Sequence, residues 1–315
     1  MCLERIINKL FCPLVGGSMF LLITGTAYAG HLDVGTPGKA DIVLEREGYA
    51  VGYSKKHHQP LWVQYRLKKE HVLSKDKVER AEIRADPDIP STASDMKDYS
   101  KSDYDRGHLA PAEDMRYSPK TEAESALMSN ICPQISGFNR GVWKRLERQI
   151  RRFAYEQGSV VVVTGPIFPL IGGRKLGEMT VAKKFYKVVY CDGPKPKMIG
   201  FVIPHESTEA DIRNFVCTVD LVELETGIRF FDKIPWELQR ELKTHSSPSD
   251  WELGRDKSDA DQDMKAKALP EYSISHEKPR EISDKSGGLI EHVSVDGQDE
   301  GLREVRVEIL KGTKK

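Results

Sequence analysis

Asp105-Arg106-Gly107-His108-Leu109-Ala110-Pro111-Ala112 and Ser129-Asn130-Ile131-Cys132-Pro133-Gln134, followed by a segment carrying Asn139, Trp143 and Glu147, stand between two strand-rich blocks. Before them, Tyr49-Ala50-Val51-Gly52-Tyr53 and Leu61-Trp62-Val63-Gln64-Tyr65-Arg66-Leu67 are dense in aromatic and branched residues, which predicts strands either side of a polar turn. After them, Val160-Val161-Val162-Val163 runs into Thr164-Gly165-Pro166, the pattern of a buried central strand. Phe185 to Tyr190 and Met198 to Ile203 predict two further strands joined through Asp192-Gly193-Pro194. Strands, irregular motif, helix and strands, in that order, predict an α+β domain on a largely antiparallel sheet flanked by helices.

The helix is the clearest local prediction. From Asn139 to Tyr155, Val142, Leu146, Ile150 and Phe153 recur at spacings of four and three, with Lys144, Arg145, Arg148, Arg151 and Arg152 between them. One continuous helix is therefore expected to set the spacing of Asn139 and Glu147. Shorter helices are expected over Thr121 to Met128 and over Val219 to Glu225, the second stopped by Gly227.

Residues 1–29 place Arg5 and Lys9 before an apolar run from Leu10 and end in Ala27-Tyr28-Ala29, the order of a secretory signal cut after Ala29. An uncleaved membrane anchor is the competing reading, since Leu10 to Ala29 is about long enough to span a bilayer, although its Gly and Thr residues suit that role poorly. The signal reading implies an exported chain, periplasmic or extracellular, with no stable membrane association after cleavage. Residues 30–40 read as a Gly/Pro-rich linker, 41–240 as the folded domain, and 241–315 as a charged tail whose composition favours disorder. Formal charge is zero overall, +1 before residue 30 and −4 after residue 240, which leaves +3 on residues 30–240. That balance permits a polyanionic ligand without requiring one. Beyond the leader, Cys132, Cys191 and Cys217 remain; either Cys191 and Cys217 form a disulfide or all three are free thiols. The sequence holds no internal repeat, zinc-ligand spacing or phosphate-binding glycine loop, and nothing in it specifies an oligomeric state.

The central motif carries residues suited to hydrolysis of a phosphodiester, which needs a base, a cation and a charge clamp because its backbone is anionic and its leaving alkoxide poor. Histidine titrates near neutrality, so His108 can take a proton from water, an effect worth about 10²- to 10⁴-fold. Gly107 beside it admits a close backbone approach. The amide oxygen of Asn139 is a neutral hard ligand suited to Mg²⁺, an ion that keeps several waters and needs few protein groups. Glu147 adds a carboxylate. Each has an ordinary reading when taken alone: Asn139 as a helix cap, Glu147 as a solvated helix residue, His108 as a structural histidine.

Taken in order, these residues resemble the DNA/RNA non-specific endonucleases of the ββα-metal type. The resemblance spans roughly Tyr49 to Pro235 and rests on Pro60-Leu61-Trp62-Val63, Tyr104 to Ala112, Ser129 to Gln134, Asn139 with Trp143, Leu146 and Glu147, Thr164-Gly165-Pro166 and Glu225-Thr226-Gly227. It implies a ββα-metal nuclease fold and a Mg²⁺-dependent endonuclease, with Mn²⁺ as a substitute ion, acting on DNA and RNA and leaving 5′-phosphate and 3′-hydroxyl ends. It further implies His108 as general base, Asn139 as sole direct metal ligand, Glu147 acting on the metal through water, and Asn130 as support for the site. An upstream arginine is expected against the transition state, at Arg80 with Arg84 as the alternative; Arg84 and Arg106 are the candidate substrate-binding cations. Two other classes stand beside this one: a non-catalytic nucleic-acid-binding or toxin-partner protein on the same fold, and a Cys/His hydrolase using Cys132 with His108.

Overall fold

The computed structural model describes residues 30–74 and 78–253. Its elements in chain order begin with β1 (Ile42–Glu45), β2 (Ala50–Ser54), β3 (Gln59–Lys68), α1 (Lys69–Leu73), α2 (Thr92–Asp98), β4 (Tyr104–His108), α3 (Ala112–Met115), α4 (Pro119–Ser125) and β5 (Ile131–Ile135). They continue with α5 (Lys144–Gln157), β6 (Ser159–Ile167), β7 (Lys175–Leu176), β8 (Met179–Thr180), β9 (Lys184–Cys191), β10 (Lys197–Pro204), β11 (Val216–Cys217), α6 (Val219–Thr226) and α7 (Trp236–Thr244).

One seven-stranded sheet, ordered β1-β2-β3-β6-β9-β10-β11, is antiparallel at every pairing. The valine run sits at its centre, and the period of two along a strand assigns its side chains to opposite faces. Val160 and Val162 enter the core on one face, with Leu146, Ile150 and Phe153 of α5; Val161 and Val163 enter the core on the other, with Val219 and Val222 of α6 and Leu242 of α7. A strand buried on both faces has no need of polar alternation, which is why this one reads as an unbroken apolar run. Gly227, at φ +68°, closes α6 in the left-handed conformation that its sequence position predicted.

Several expectations need correction. The motif at Tyr104–His108 is a strand, paired antiparallel with β5 so that His108 faces Ile131 and Gly107 faces Cys132. The helix expected from Asn139 is broken: Phe138–Trp143 forms a wide π-type turn with non-helical backbone at Gly141 (φ −97°, ψ −111°), and regular helix starts at Lys144. The apolar spacing survives this break because Val142 and Trp143 are still buried. Residues 30–40 are packed rather than a free linker. Val34 is buried, and Gln64 Nε2 donates to the carbonyls of His31 and Gly35. Folded structure also continues past residue 240, since Trp251 is buried against Phe153 with ring centroids 4.7 Å apart. The remainder of the expected tail, from residue 254, and the expected leader at 1–29 lie outside the described residues.

The disulfide alternative is excluded. Cys191 pairs with Lys197 on one side of β10 and Cys217 pairs with Gly200 on the other. An intervening strand separates such residues by roughly 10 Å, beyond disulfide reach, and Cys132, Cys191 and Cys217 are all free thiols. Among the described residues no helix is long and apolar enough to cross a membrane.

Candidate active site

Strand β4, the end of α1, the start of α3, the π-type turn and the first turns of α5 enclose a cleft of about 890 Å³ whose walls include Arg80, Arg106, His108, Asn139, Glu147 and Arg148. Six residues spread over some 70 positions of sequence are thereby brought to one place. Arg84 is not among the lining residues. Its backbone instead bridges to Leu127, and its side chain is exposed. Of the two candidate arginines, Arg80 is the one at the cleft.

His108 is held by its neighbours. A Cβ on Gly107 would come within 2.1 Å of the Gln134 side chain, so the strand carrying His108 approaches β5 more closely than any other residue permits. Asn130, fully buried, fixes the segment just beyond: its amide donates to Ala110 O (2.9 Å) and Ser125 O (2.8 Å) and accepts from Ala110 N (2.9 Å). Both amide protons and one acceptor position of Asn130 are committed to backbone. These bonds tie the segment after His108 to the loop before β5, an arrangement compatible with the supporting part expected of Asn130. Burial, together with the adjacent Arg80, pushes the His108 imidazole down to about 4, so at neutral pH it is an uncharged proton acceptor.

Asn139 is oriented by a residue the sequence reading passed over. Its Nδ2 donates to Asp105 Oδ2 at 2.9 Å, and Arg140 grips the same carboxylate with bonds of 2.9 and 2.8 Å. A carboxylate only accepts, so the amide must turn its NH₂ to Asp105, which leaves Oδ1 free of that bond. Burial raises the Asp105 carboxyl, but the Arg140 and Asn139 bonds outweigh it and hold the group below its ordinary range.

Beneath the cleft lies a buried charge network. Lys187 of β9 is fully buried and donates to Leu109 O and Thr164 Oγ1, both at 3.3 Å, with its ammonium 4.4 Å from the Trp143 ring centroid. Asp114 accepts from Arg151 Nη1 (2.7 Å) and from Tyr65 OH (3.0 Å). Burial pushes the Glu147 carboxyl up and Lys187 down, each opposed by the other's charge. Glu147 and Arg151, one helical turn apart, connect this network to the cleft. The signal for Lys187 was present in the sequence: a lone lysine inside Phe185-Tyr186-Lys187-Val188-Val189-Tyr190, at a position alternation assigns to the core.

Asn139 Oδ1 with the Glu147 carboxylate is an oxygen donor set of low charge, which fits a hard divalent cation that retains most of its waters. Cys132 does not fit the Cys/His hydrolase alternative. It is fully buried in the apolar core, where burial pushes the thiol far above its ordinary range, and the thiolate that nucleophilic chemistry requires is suppressed.

The sequence model of the family described as DNA/RNA non-specific endonuclease matches residues 28–237. Nuclease C1 of Cunninghamella echinulata var. echinulata is 33% identical over 221 residues, covering 64% of this chain and 88% of its own length. The mitochondrial nuclease of Saccharomyces cerevisiae is 28% identical, covering 66% of this chain and 70% of its own length. Among solved structures, that of the EndoG/EndoGI complex superposes with a TM-score of 0.60 at 30% identity, covering 65% of this chain and 91% of the other. The matched relatives include mitochondrial nucleases from yeasts and vertebrates, and this finding overturns the expectation of export to a periplasmic or extracellular space. A few basic residues ahead of an apolar run do not fix a destination.

Proposed function

Given that this chain belongs to the DNA/RNA non-specific endonuclease family and has the ββα-metal nuclease fold, we propose that it hydrolyses DNA and RNA with His108 as general base and Mg²⁺ as its ion. The observation that carries this reading is the meeting of a neutral histidine, an arginine, an oriented asparagine oxygen and a carboxylate in one cleft.

His108, uncharged at neutral pH, accepts the proton of the attacking water. Arg80 lines the cleft, within electrostatic reach of Glu147 and Glu122, and its guanidinium meets the phosphate as charge accumulates on its oxygens. Asn139 Oδ1 would hold the divalent ion, Mg²⁺ or Mn²⁺ in its place, directly and Glu147 would hold it through water; bound there, the ion would supply positive charge to offset the negative charge developing on the leaving oxygen. Arg106 and Arg148 contribute positive charge to the cleft and hold the anionic backbone. Breakage on the 3′-oxygen side of the phosphate leaves 5′-phosphate and 3′-hydroxyl ends.

The test is cleavage of plasmid DNA and of RNA by the purified chain, with and without EDTA, beside His108→Ala. Cleavage is expected only with divalent ion and intact His108, and cleavage that survives both losses overturns the mechanism.

A further inference from the structure

We propose that Arg174, stacked on Tyr104, forms an outer subsite of the cleft that binds the phosphate backbone of the same nucleic-acid strand several nucleotides from the scissile bond. The proposal rests on the nuclease reading for the identity of the strand.

Alternate residues of a strand share a face, so Tyr104, Arg106 and His108 form one row on β4. Arg106 and His108 line the cleft; Tyr104 is the next member outward. Each two-residue step advances about 6.8 Å, so Tyr104 is displaced by roughly 13 Å from His108, a length matching about four nucleotides of stacked strand. At both outer positions a guanidinium lies over a tyrosine: Arg106 is 5.5 Å from the Tyr99 ring centroid and Arg174 is 5.2 Å from that of Tyr104. Both rings belong to one apolar cluster with Met128, Ile131 and Met179, which fixes them to a common floor.

Arg174 is placed by the chain around it. Its carbonyl accepts from Val181 N at 2.8 Å, closing the hairpin of β7 and β8, and Leu176 and Met179 of that hairpin pack into the same cluster. Elsewhere in the fold Arg46, Arg66, Arg140 and Arg151 each meet a carboxylate. Arg106 and Arg174 meet none within ion-pair reach among the described residues, and both are exposed. A planar cation held on an aromatic face keeps its hydrogen-bonding edge open to a phosphate. The row therefore continues the positive cleft along β4 to a second point of backbone contact.

The test is equilibrium binding of a fluorescein-labelled DNA strand of about 20 nucleotides to the full chain in EDTA, read by anisotropy over a range of salt. Arg174→Ala is expected to weaken binding about 3- to 10-fold and to lower the slope of log K against log salt by about one. Arg174→Lys, which keeps the charge, should retain the wild-type slope. Arg229→Ala is the control for the same charge change, because Arg229 is exposed and flanked by Ile228 and Phe230, which pack on the opposite face of the sheet. Equal behaviour of Arg174→Ala and Arg229→Ala overturns the subsite. Because turnover is not needed for this measurement, a chain that binds in this way but leaves plasmid intact counts against the nuclease mechanism and not against the subsite.

Discussion

Asn139 gives one amide proton to Asp105 across 34 positions of sequence, and Arg140 holds the accepting carboxylate from its other side. This relationship decides which end of the Asn139 amide is available to an ion. Asp105→Ala frees the amide to turn, and Mn²⁺ affinity measured by electron paramagnetic resonance should fall by about 10- to 100-fold, the usual cost of losing such a partner. Stability should change little, because Arg140 is largely exposed and an exposed pair is worth about 0–1 kcal/mol. Unchanged metal affinity would show that Asp105 does not orient the ligand.

Arg80 and Arg84 separate cleanly in space although four residues apart in sequence. Arg80→Ala should lower kcat by about 10²- to 10³-fold, the effect of losing a donor to transition-state charge. Arg84→Ala should stay within about twofold, as surface substitutions away from a site generally do. Steady-state cleavage of a labelled oligonucleotide distinguishes them, and equal losses would reject the assignment.

Asn130→Ala should unfold the site rather than alter its chemistry. Two carbonyls and one amide of the backbone lose their buried partner, each at a cost of about 1–3 kcal/mol. Thermal denaturation should show a fall of many degrees, since 1 kcal/mol shifts Tm by about 2–4 °C in a domain of this size. Activity should fall in parallel. A variant of native stability but no activity would instead return Asn130 to a chemical role.

The depressed His108 imidazole, at about 4, predicts that the acid limb of kcat/KM lies well below the histidine range near 6.5. The same shift affects folding. Below the unfolded pKa the unfolded chain binds the extra proton, so this group's contribution is complete above about 6.5 and is lost as pH falls toward 4, roughly 3 kcal/mol in all. Urea denaturation at pH 7 and pH 5 should show about 2 kcal/mol of that loss in the wild type and a smaller one in His108→Ala; equal losses would contradict it.

A chain ended at residue 240, the boundary the composition favours, should be markedly less stable than one ended after Leu253. The missing segment carries Trp251, whose ring packs on Phe153 and lies under Lys197 Nζ at 4.7 Å, and emptying such a site costs about 3–5 kcal/mol. Calorimetry on the two truncations checks this.

The sequence by itself determined the principal strands of the sheet, the helix that covers it and several of the side chains that the fold brings to one cleft. Periodicity is a local consequence of strand and helix geometry, so the valine run, the apolar spacing of α5 and the stop at Gly227 are legible without neighbours. His108, Asn139 and Glu147 were legible as an ordered set of chemically competent side chains. Tertiary structure alone decided which arginine reaches the cleft, that Asp105 turns the Asn139 amide, that Lys187 and Asp114 form a charged floor, and that Asn130 braces backbone. Each of these depends on contacts between residues far apart in sequence, whose partners no local pattern specifies. The break at Gly141 escaped for a related reason: apolar spacing reports which side chains are buried, and burial persists through a π-type turn even though the backbone there is no longer regular helix. Composition marked residues 30–40 and 241–253 as loose, yet a few apolar side chains, Val34 and Trp251 among them, suffice to fasten a polar segment once a core exists to receive them.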